Sequence, residues 1–356
     1  MSLQPSNSST TPAATAANQQ PNDQRQTLAK QWCATVTDPA LQLETLRAAS
    51  ADASFRRYFR IDGTDGATYI VMDAPPPQEN VRPFIHAAGV LAEAGVTVPA
   101  VLAQDVEQGF LLLSDLGSTT YLHLLNIDTA HKLYADALDA LVQIQMHSAP
   151  DIFPEYDRAL LLRELMMFPD WYVGRHLGLT LTEAQTATLN KIFDILLANN
   201  LAQAQVFVHR DYHSRNLMVM TEGNPGILDF QDAVYGPITY DLASLLRDAY
   251  VQWDEEMVLD WAIRYWERAK KAGLPVNPDI DAFYRDFEFM GLQRHLKILG
   301  NFARLFHRDG KDGYLKDLPL VLEYVRKTAN RYKVLEPLVK LLDELEQKTP
   351  QVGYTF

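Results

Sequence analysis

The chain is poor in cysteine: Cys33 is the only one in 356 residues. A single cysteine excludes an intrachain disulfide and a zinc site built from several cysteines. The first 24 residues contain no lysine or arginine and no apolar segment that could serve as a secretory signal. No run of 18 apolar residues occurs anywhere, so no membrane span is predicted. These absences together predict a cytoplasmic protein.

Basic residues are also scarce, because 32 lysines and arginines face 45 acidic residues, for a net charge of −13. A broad nucleic-acid surface needs clustered positive charge, so nucleic acid is not an expected partner. A ligand that carries phosphate must instead be held by a few local cations, by backbone N–H groups or by a metal ion. We expect a monomer that acts on a small molecule.

The distribution of apolar residues predicts an α+β protein with two lobes. Residues 1–24 are polar and small and predict a disordered tail. Residues 25–115 predict a small, β-rich N-lobe, and residues 116–356 predict a larger helical C-lobe, with a hinge near 113–117 and a cleft between the lobes. The elements predicted from periodicity are a hairpin at 54–61 and 68–72, a helix at 81–93, strands at 98–102 and 110–113, helices at 129–148, 157–177 and 182–199, a β-rich insert at 206–229, and helices over 240–346.

The segment VFVHRDYHSRNLMVM, residues 206–220, carries the most information. A buried strand enters a polar loop and leaves by a second short strand, and a hairpin partner then ends at Asp229. This order predicts that Asp211, Asn216 and Asp229 meet at one edge of a small sheet. Phosphoryl transfer needs a carboxylate near the attacking hydroxyl and oxygen ligands for Mg²⁺, and the spacing H-R-D-x-x-x-x-N followed by Asp229 supplies both.

Two other interpretations of this segment are weaker. His209 and Asp211 could simply cap a turn while Asp229 is a solvated carboxylate, but that leaves the four-residue spacing unexplained. His209 and His213 are four residues apart, as in a helical zinc site. That motif has Glu after its first histidine and lies on a helix, whereas here Arg210 follows and the flanking residues predict a strand.

The chain resembles the aminoglycoside phosphotransferase and choline kinase-like superfamily, which shares the two-lobed protein kinase fold. Within it, the chain is similar to the group of bacterial cell-wall recycling kinases that phosphorylate the anomeric hydroxyl of N-acetylmuramate and N-acetylglucosamine. The blocks that carry this resemblance are SADASFRRYFR, VMDAPPPQENVRPF, LLLSDLG, MMFPDWYVGRHLG, VHRDYHSRNLM and LDFQDAVYGPITYDLASLLRD.

The resemblance implies a role for each matching residue. Asp211 would be the catalytic base, and Asn216 and Asp229 would bind Mg²⁺. His209 and Asp241 would support the catalytic loop from below. The adenine of ATP would bind the backbone of 112–115, which includes Leu113 and Asp115.

The phosphate-binding part departs from the family pattern. Residues 49–54 contain no glycine where kinases have a glycine-rich loop, and Met72 stands about where a lysine of the third strand is expected. Backbone N–H groups near Ser54 and one of the arginines Arg56, Arg57 and Arg60 are the candidates to bind the phosphates of ATP.

Substrate contacts have weaker sequence signals. Trp171 could stack on a sugar, Asp170 could accept its hydroxyls, and Arg175 or Arg294 could bind the lactyl carboxylate of N-acetylmuramate. Other kinases for small-molecule hydroxyls, including antibiotic kinases, remain an alternative. A nucleotide-binding pseudokinase is a third possibility because of the absent lysine and glycines, although a chain that keeps Asp211, Asn216 and Asp229 together favours an enzyme.

Overall fold

The computed structural model describes residues 20–51 and 55–346. The chain divides into two compact units. The first contains the chain up to Arg82 together with Ala100–Asp115, and the second contains Pro83–Pro99 together with the chain from Leu116. The first unit is mainly sheet and the second mainly helix, as the α+β prediction requires.

The first unit is an antiparallel five-stranded sheet with one helix, α1 (Gln20–Cys33). The predicted hairpin is confirmed, because the second and third strands pair with Arg57 opposite Asp73 and Asp62 opposite Thr68. The strand order is β1-β2-β3-β5-β4, with β1 at Leu41–Ala51, β2 at Arg57–Gly63, β3 at Thr68–Asp73, β4 at Val101–Asp105 and β5 at Phe110–Ser114.

Helix α1 covers one face of this sheet. Trp32 stacks on Phe110 with ring centroids 5.6 Å apart, in a core that also contains Phe59 and Val71. The helix begins at Gln20, inside the range 1–24 that composition assigns to a disordered tail. Pro21 is suited to a first helical turn, where its missing N–H has no partner to lose. The rest of that predicted tail, residues 1–19, lies outside the described residues.

Helix α2 (Arg82–Glu93) is grouped almost entirely with the second unit, whereas the sequence places all of 25–115 in the N-lobe. Its apolar face explains the difference. The ring of Phe84 packs against that of Phe230 with centroids 4.8 Å apart, and Thr97 after the helix forms a β-bridge with Gly226. Tertiary packing therefore assigns this helix to a unit that its neighbours in sequence do not share.

The second unit is built from helices around two small antiparallel strand pairs. The segment 157–177 is not one helix: an α-helix ends at Leu165 and a π-helix follows, Phe168–His176, with Pro169 in its first turn. The paired strands are β6 (Gln205–Val208) with β9 (Val234–Pro237), and β7 (Leu217–Met218) with β8 (Gly226–Ile227). The helices are α3 (Tyr121–Leu124), α4 (Ala130–Met146), α5 (Arg158–Leu165), α6 (Glu183–Leu201), α7 (Tyr240–Leu246), α8 (Glu255–Ala272), α9 (Ile280–Asp309), α10 (Leu318–Arg331) and α11 (Glu336–Leu345), with single 3₁₀ turns at Asp312–Asp317 and Lys333–Leu335.

Helix α9 is the central helix of this unit, and most of its residues between Phe283 and Leu305 are buried. Gly300 lies where α9 meets the chain just before the π-helix. A Cβ at this position would lie 2.2 Å from the backbone oxygen of Met167, so only glycine permits this approach. No helix in 20–51 or 55–346 is long and apolar enough to cross a membrane.

Candidate active site

The loop between β6 and β7 and the end of β8 bring Asn216 next to Asp229 and to the backbone of Asp211. Nδ2 of Asn216 donates to the backbone oxygen of Asp211 at 3.0 Å and lies 3.4 Å from Oδ2 of Asp229. Nε2 of Gln231 donates to Oδ1 of Asp229 at 2.7 Å. Local chain geometry therefore places the amide of Asn216 beside the carboxylate of Asp229 and ties it to the loop residue Asp211.

Two residues of this site have left-handed backbone conformations that non-glycine residues rarely adopt: Arg210 at φ 76° and Asp229 at φ 64°. Arg210 is held by contacts to two acidic residues. The guanidinium of Arg210 pairs with Glu164, and its backbone N–H donates to Oδ1 of Asp241 at 3.0 Å. The strain is thus offset by contacts that come from outside the loop.

Asp241 lies fully buried in the first turn of α7. Its carboxylate accepts hydrogen bonds from backbone N–H groups of the loop between β6 and β7, which carries Asp211 and is called the catalytic loop below. Its Oδ2 accepts from the N–H of His209 at 2.6 Å, in addition to the bond from Arg210. Burial raises the pKa of Asp241 to about 6, although these two N–H groups and His209 favour its charged form. The supporting role that the resemblance implies for Asp241 stays a prediction.

His209 links the loop to the end of β8. Its Nδ1 accepts from the N–H of Asp211 at 3.2 Å, so the ring proton is on Nε2, which donates to the oxygen of Leu228 at 2.9 Å. Burial lowers the pKa of His209 and keeps the ring neutral. His209 therefore fixes the spacing between the loop that carries Asp211 and the strand that leads to Asp229.

The carboxylate of Asp211 is half-exposed and faces two side chains of the second unit. Nη2 of Arg294 lies 3.7 Å from its Oδ1, and Nε2 of His213 lies 4.0 Å from the same oxygen. Burial works to raise the pKa of Asp211, but the positive charges of Lys297 and Arg294 hold it well below its usual range. Asp211 is therefore an anion at neutral pH, whereas burial lowers the pKa of His213 to about 4 and leaves that ring uncharged.

The three arginines proposed to bind phosphate have different neighbours in the first unit. Arg57 pairs with the fully buried Asp73, which also binds Arg25 of α1. Arg60 forms a two-point contact with Asp115, at 2.5 and 3.0 Å. The Nε of Arg56 lies 3.8 Å from Oε2 of Glu79, just before α2.

The remaining predicted nucleotide residues lie at the end of β5 or beyond the described chain. Leu113 is buried in β5 opposite Ile70 of β3. Asp115 follows the strand, and its side chain also accepts from the hydroxyl of Thr68 at 2.7 Å. Ser54 lies outside the described residues.

The predicted sugar contacts divide into two sets. Asp170 and Arg175 are exposed on the π-helix and Trp171 is half-buried there. Within residues 55–346, no hydrogen bond or ion pair joins these three to Asp211. Arg294, on α9, is the one member of the predicted set that lies beside Asp211.

A model of the phosphotransferase enzyme family matches residues 45–274, a range that includes Asp211, Asn216 and Asp229. The chain belongs to this family. This confirms the family that the motif blocks indicate, and it makes the chain a phosphotransferase.

The relatives of this phosphotransferase include closely similar proteins. A protein of Pseudomonas putida named N-acetylmuramate/N-acetylglucosamine kinase is 52% identical over 302 residues, which cover 85% of this chain and 88% of the relative. A protein of the same name from Neisseria meningitidis serogroup B is 49% identical over 338 residues, which cover 94% of this chain and 100% of the relative.

Solved structures of low sequence identity share the fold of this phosphotransferase. One is a choline/ethanolamine kinase family protein from Mesorhizobium loti, with a TM-score of 0.59 at 14% identity, covering 90% of this chain and 99% of that one. Another is the amicoumacin kinase hAmiN in complex with AMP-PNP, Ca²⁺ and Ami, with a TM-score of 0.60 at 14% identity and the same coverage. These similarities show the two-lobed kinase fold.

Sequence reasoning about this phosphotransferase missed a buried cluster under the catalytic loop. Glu164 binds Arg210, the hydroxyl of Tyr156 and Lys297, whose Nζ lies 2.9 Å from Oε1. Burial alone would raise the pKa of Glu164, but the charges of Lys297 and Arg210 lower it below the usual value. The one available signal was Arg210 itself, since a buried arginine in such a loop needs an acidic partner.

Proposed function

We propose that this phosphotransferase is an ATP-dependent kinase that phosphorylates the anomeric C1 hydroxyl of N-acetylmuramate and N-acetylglucosamine. The observation that carries the proposal is that Asn216 binds the backbone of Asp211 and lies beside Asp229, in a chain about half identical to proteins named for these two sugars. The reaction would take place in the cytoplasm, where ATP is available and the buried thiol of Cys33 stays reduced.

Asp211 is suited to act as the base in this reaction. Its carboxylate is anionic and half-exposed, so it can accept the proton of a sugar hydroxyl. The low pKa limits its basicity. A hemiacetal hydroxyl is more acidic than an ordinary alcohol, so this acceptor needs less help from the base, and positioning can account for most of the barrier reduction.

Asn216 and Asp229 fit a magnesium ion by their donor chemistry. Mg²⁺ prefers oxygen ligands, and one carboxylate with one amide oxygen is typical of sites that also bind substrate phosphates. Nδ2 of Asn216 donates a hydrogen bond to the backbone oxygen of Asp211. The amide oxygen Oδ1 is therefore the atom of Asn216 that would bind the metal ion. The ion would neutralise charge on the phosphates of ATP during transfer.

The nucleotide contacts would come from the first unit. Within the predicted range 112–115 the adenine would bind the backbone at Asp115, because Leu112 to Ser114 already pair with the strands on both sides of β5. Arg56 is the best candidate to bind phosphate. Arg57 and Arg25 of α1 both pair with Asp73. Arg57 therefore lies on the face of the sheet that α1 covers. Residues alternate between faces of a strand, so Arg56 belongs with Met72 on the opposite face.

The pairing of Arg56 with Glu79 makes it a plausible replacement for the absent lysine. Both side chains are largely buried, and Oε1 of Glu79 also accepts from the backbone N–H of Phe55 at 3.1 Å. Glu79 therefore holds the chain where it enters β2 and orients the guanidinium. An arginine offers phosphate a planar set of donors in place of a lysine point charge.

The sugar would be bound by the π-helix and the catalytic loop. We keep Trp171 as the residue that stacks on the sugar ring and Asp170 as an acceptor for its hydroxyls. Arg175 is exposed on the same element, so we assign the lactyl carboxylate of N-acetylmuramate to it and not to Arg294, whose neighbour is Asp211.

The experiment is to incubate the protein with ATP, Mg²⁺ and a panel of amino sugars and aminoglycosides, and to record the phosphorus NMR spectrum of each product. The expected product is an α-1-phosphate whose phosphorus couples to the anomeric proton. A 6-phosphate, or phosphorylation of an aminoglycoside alone, would contradict the proposed substrate while leaving a kinase. No turnover of any acceptor, with ATP still bound, would instead favour the pseudokinase alternative.

A further inference from the structure

The catalytic carboxylate lacks the hydrogen bonds that usually orient a functional side chain. Among residues 20–51 and 55–346, no N–H or O–H group lies within hydrogen-bond distance of the side-chain oxygens of Asp211. Its contacts are an ion pair of 3.7 Å from Arg294 and an approach of 4.0 Å from His213, and both are to Oδ1. Among the described residues, these two basic side chains lie nearest to the carboxylate, and the charge of Lys297 also acts on it.

Arg294 is held firmly in place by the helix that carries it. On α9, Nε2 of Gln293 donates to the oxygen of Leu161 at 2.9 Å, and Nε2 of His295 donates to the oxygen of Arg247 at 3.0 Å. Both flanking side chains are buried. These contacts fix the backbone of α9 at Arg294, and the Arg294 side chain is itself buried.

The burial of the Arg294 side chain should by itself lower the stability of the protein. Its side chain is 4% exposed, yet Nε and Nη1 are buried without a hydrogen-bond partner among the described residues. Burying a cation whose donors are not satisfied normally destabilises a protein. The nearest anion that offsets this cost is Asp211. The burial of Nε and Nη1 also makes Arg294 a poor receptor for a carboxylate of the sugar.

His213 lies on the same side of Asp211. It is 9% exposed, its ring meets the edge of Tyr250 with centroids 5.4 Å apart, and its Nδ1 is buried without a described partner. Its backbone N–H donates to the backbone oxygen of Asp211 at 3.0 Å. This second contact limits how far Asp211 can turn.

We propose that Arg294 and His213 are positioning residues that hold Oδ1 of Asp211, so that Oδ2 is the oxygen that accepts the proton of the acceptor hydroxyl. The inference rests on the proposed function only in that phosphoryl is transferred to a hydroxyl with Asp211 as base. The acceptor's O–H bond breaks, its proton goes to Oδ2, and its oxygen bonds to the phosphorus as the bond to the leaving diphosphate breaks. Arg294 acts through Asp211 and does not touch the sugar.

The test is a double-mutant cycle between Arg294→Met and Asp211→Asn, with kcat and the KM of the acceptor measured for each variant. In the wild-type background, Arg294→Met should lower kcat about 10- to 100-fold, as expected when a reacting group is misplaced, with KM changed less than about twofold. Arg294→Lys, which keeps the charge, should recover about tenfold of that loss. In the Asp211→Asn background, Arg294→Met should change kcat less than about twofold.

The matched control is Arg304→Met, because Arg304 is a half-buried arginine of the same helix that also has a buried, unpartnered Nε but contacts Asn301. Its kcat should equal that of the wild type. An Arg294→Met variant with raised KM and normal kcat would make Arg294 a substrate ligand and overturn the proposal. Equal loss of kcat in both backgrounds would also overturn it, because a structural role would not depend on Asp211.

If Arg294→Met does not fold, the same cycle is run with His213→Ala. A raised KM with normal kcat, or an equal loss of kcat in both backgrounds, would again overturn the proposal. The measurements use the acceptor that gives turnover. A wrong sugar assignment would therefore appear as a different acceptor in the product analysis, whereas failure of this proposal would appear as additivity in the cycle.

Discussion

Glu164 and Lys297 form a buried ion pair of 2.9 Å beneath the catalytic loop, and Arg210 binds the same carboxylate. Lys297 also donates to the hydroxyl of Tyr240 at 3.1 Å, in the turn that carries Asp241. The helix α9, the loop with Asp211 and the start of α7 are thus joined through one carboxylate. The first prediction concerns this carboxylate.

Glu164→Ala should lower the free energy of unfolding by about 3–5 kcal/mol, because it leaves two buried cations without their anion. Chemical denaturation measures the change. The control is Asp194→Ala, which removes an exposed ion pair with Arg158 and should cost less than about 1 kcal/mol. If the two variants lose similar amounts of unfolding free energy, the buried Glu164 cluster stabilises the protein no more than an exposed ion pair does.

Asp211→Asn should lower kcat by about 10² to 10⁴, the usual contribution of a positioned general base, while ATP still binds. The substitution keeps the shape of the side chain and removes its charge. Steady-state kinetics and calorimetric titration with ATP measure the two effects. Near-normal turnover would remove Asp211 from the mechanism.

Asp229→Ala should abolish turnover at ordinary Mg²⁺ concentrations, because Asn216 alone is a neutral ligand and Mg²⁺ binds weakly without a carboxylate. Partial recovery is expected at high Mg²⁺ or with Mn²⁺. The measurement is activity as a function of metal concentration. A variant whose metal dependence matches the wild type would argue that Asp229 is not a ligand.

The stability of the protein should fall in acid because of buried histidines, of which His295 is the clearest. Burial lowers the pKa of His295 to about 3, whereas an unfolded histidine has a pKa of about 6.5. Between these values the unfolded state binds more protons, so stability decreases as the pH falls from about 6.5 toward 3. At pH 4.5 the loss from this group should be on the order of 2–3 kcal/mol.

His295→Gln tests this assignment, since glutamine can still donate to the oxygen of Arg247 but does not titrate. Its unfolding free energy should depend less steeply on pH than that of the wild type. If the unfolding free energies of the wild type and of His295→Gln depend on pH in the same way, the loss of stability in acid comes from other groups.

Deletion of residues 2–19 should leave the melting temperature and turnover unchanged, since the apolar side chains of this segment are one leucine, four alanines and two prolines. Arg25→Ala should behave differently. Arg25 pairs with the buried Asp73 and lies over the ring of Phe110 at 4.4 Å, so its loss should cost about 1.5–3 kcal/mol. Arg47→Ala, which breaks an exposed pair with Asp62, is the control. An unchanged melting temperature for Arg25→Ala would show that α1 is not anchored there.

The sequence alone determined the parts of this protein that depend on short stretches of chain. The hairpin of β2 and β3 follows from alternation and a turn. The approach of Asn216 to Asp229 and to the backbone of Asp211 follows from strands and loops of a few residues, whose geometry leaves little choice of where these groups lie. The family followed from the resemblance that this motif carries together with the LDF block.

Tertiary structure alone decided which distant residues complete the site. Glu164 and Lys297 meet because α5 packs on α9, and Arg294 reaches Asp211 because α9 runs through the core of its unit. Packing also decided the partners of two adjacent arginines, Asp73 for Arg57 and Glu79 for Arg56. The sequence position of a charged side chain does not identify the residue with which it pairs. The partner is chosen by which buried surfaces come together and by the need to neutralise every charge that burial takes out of water.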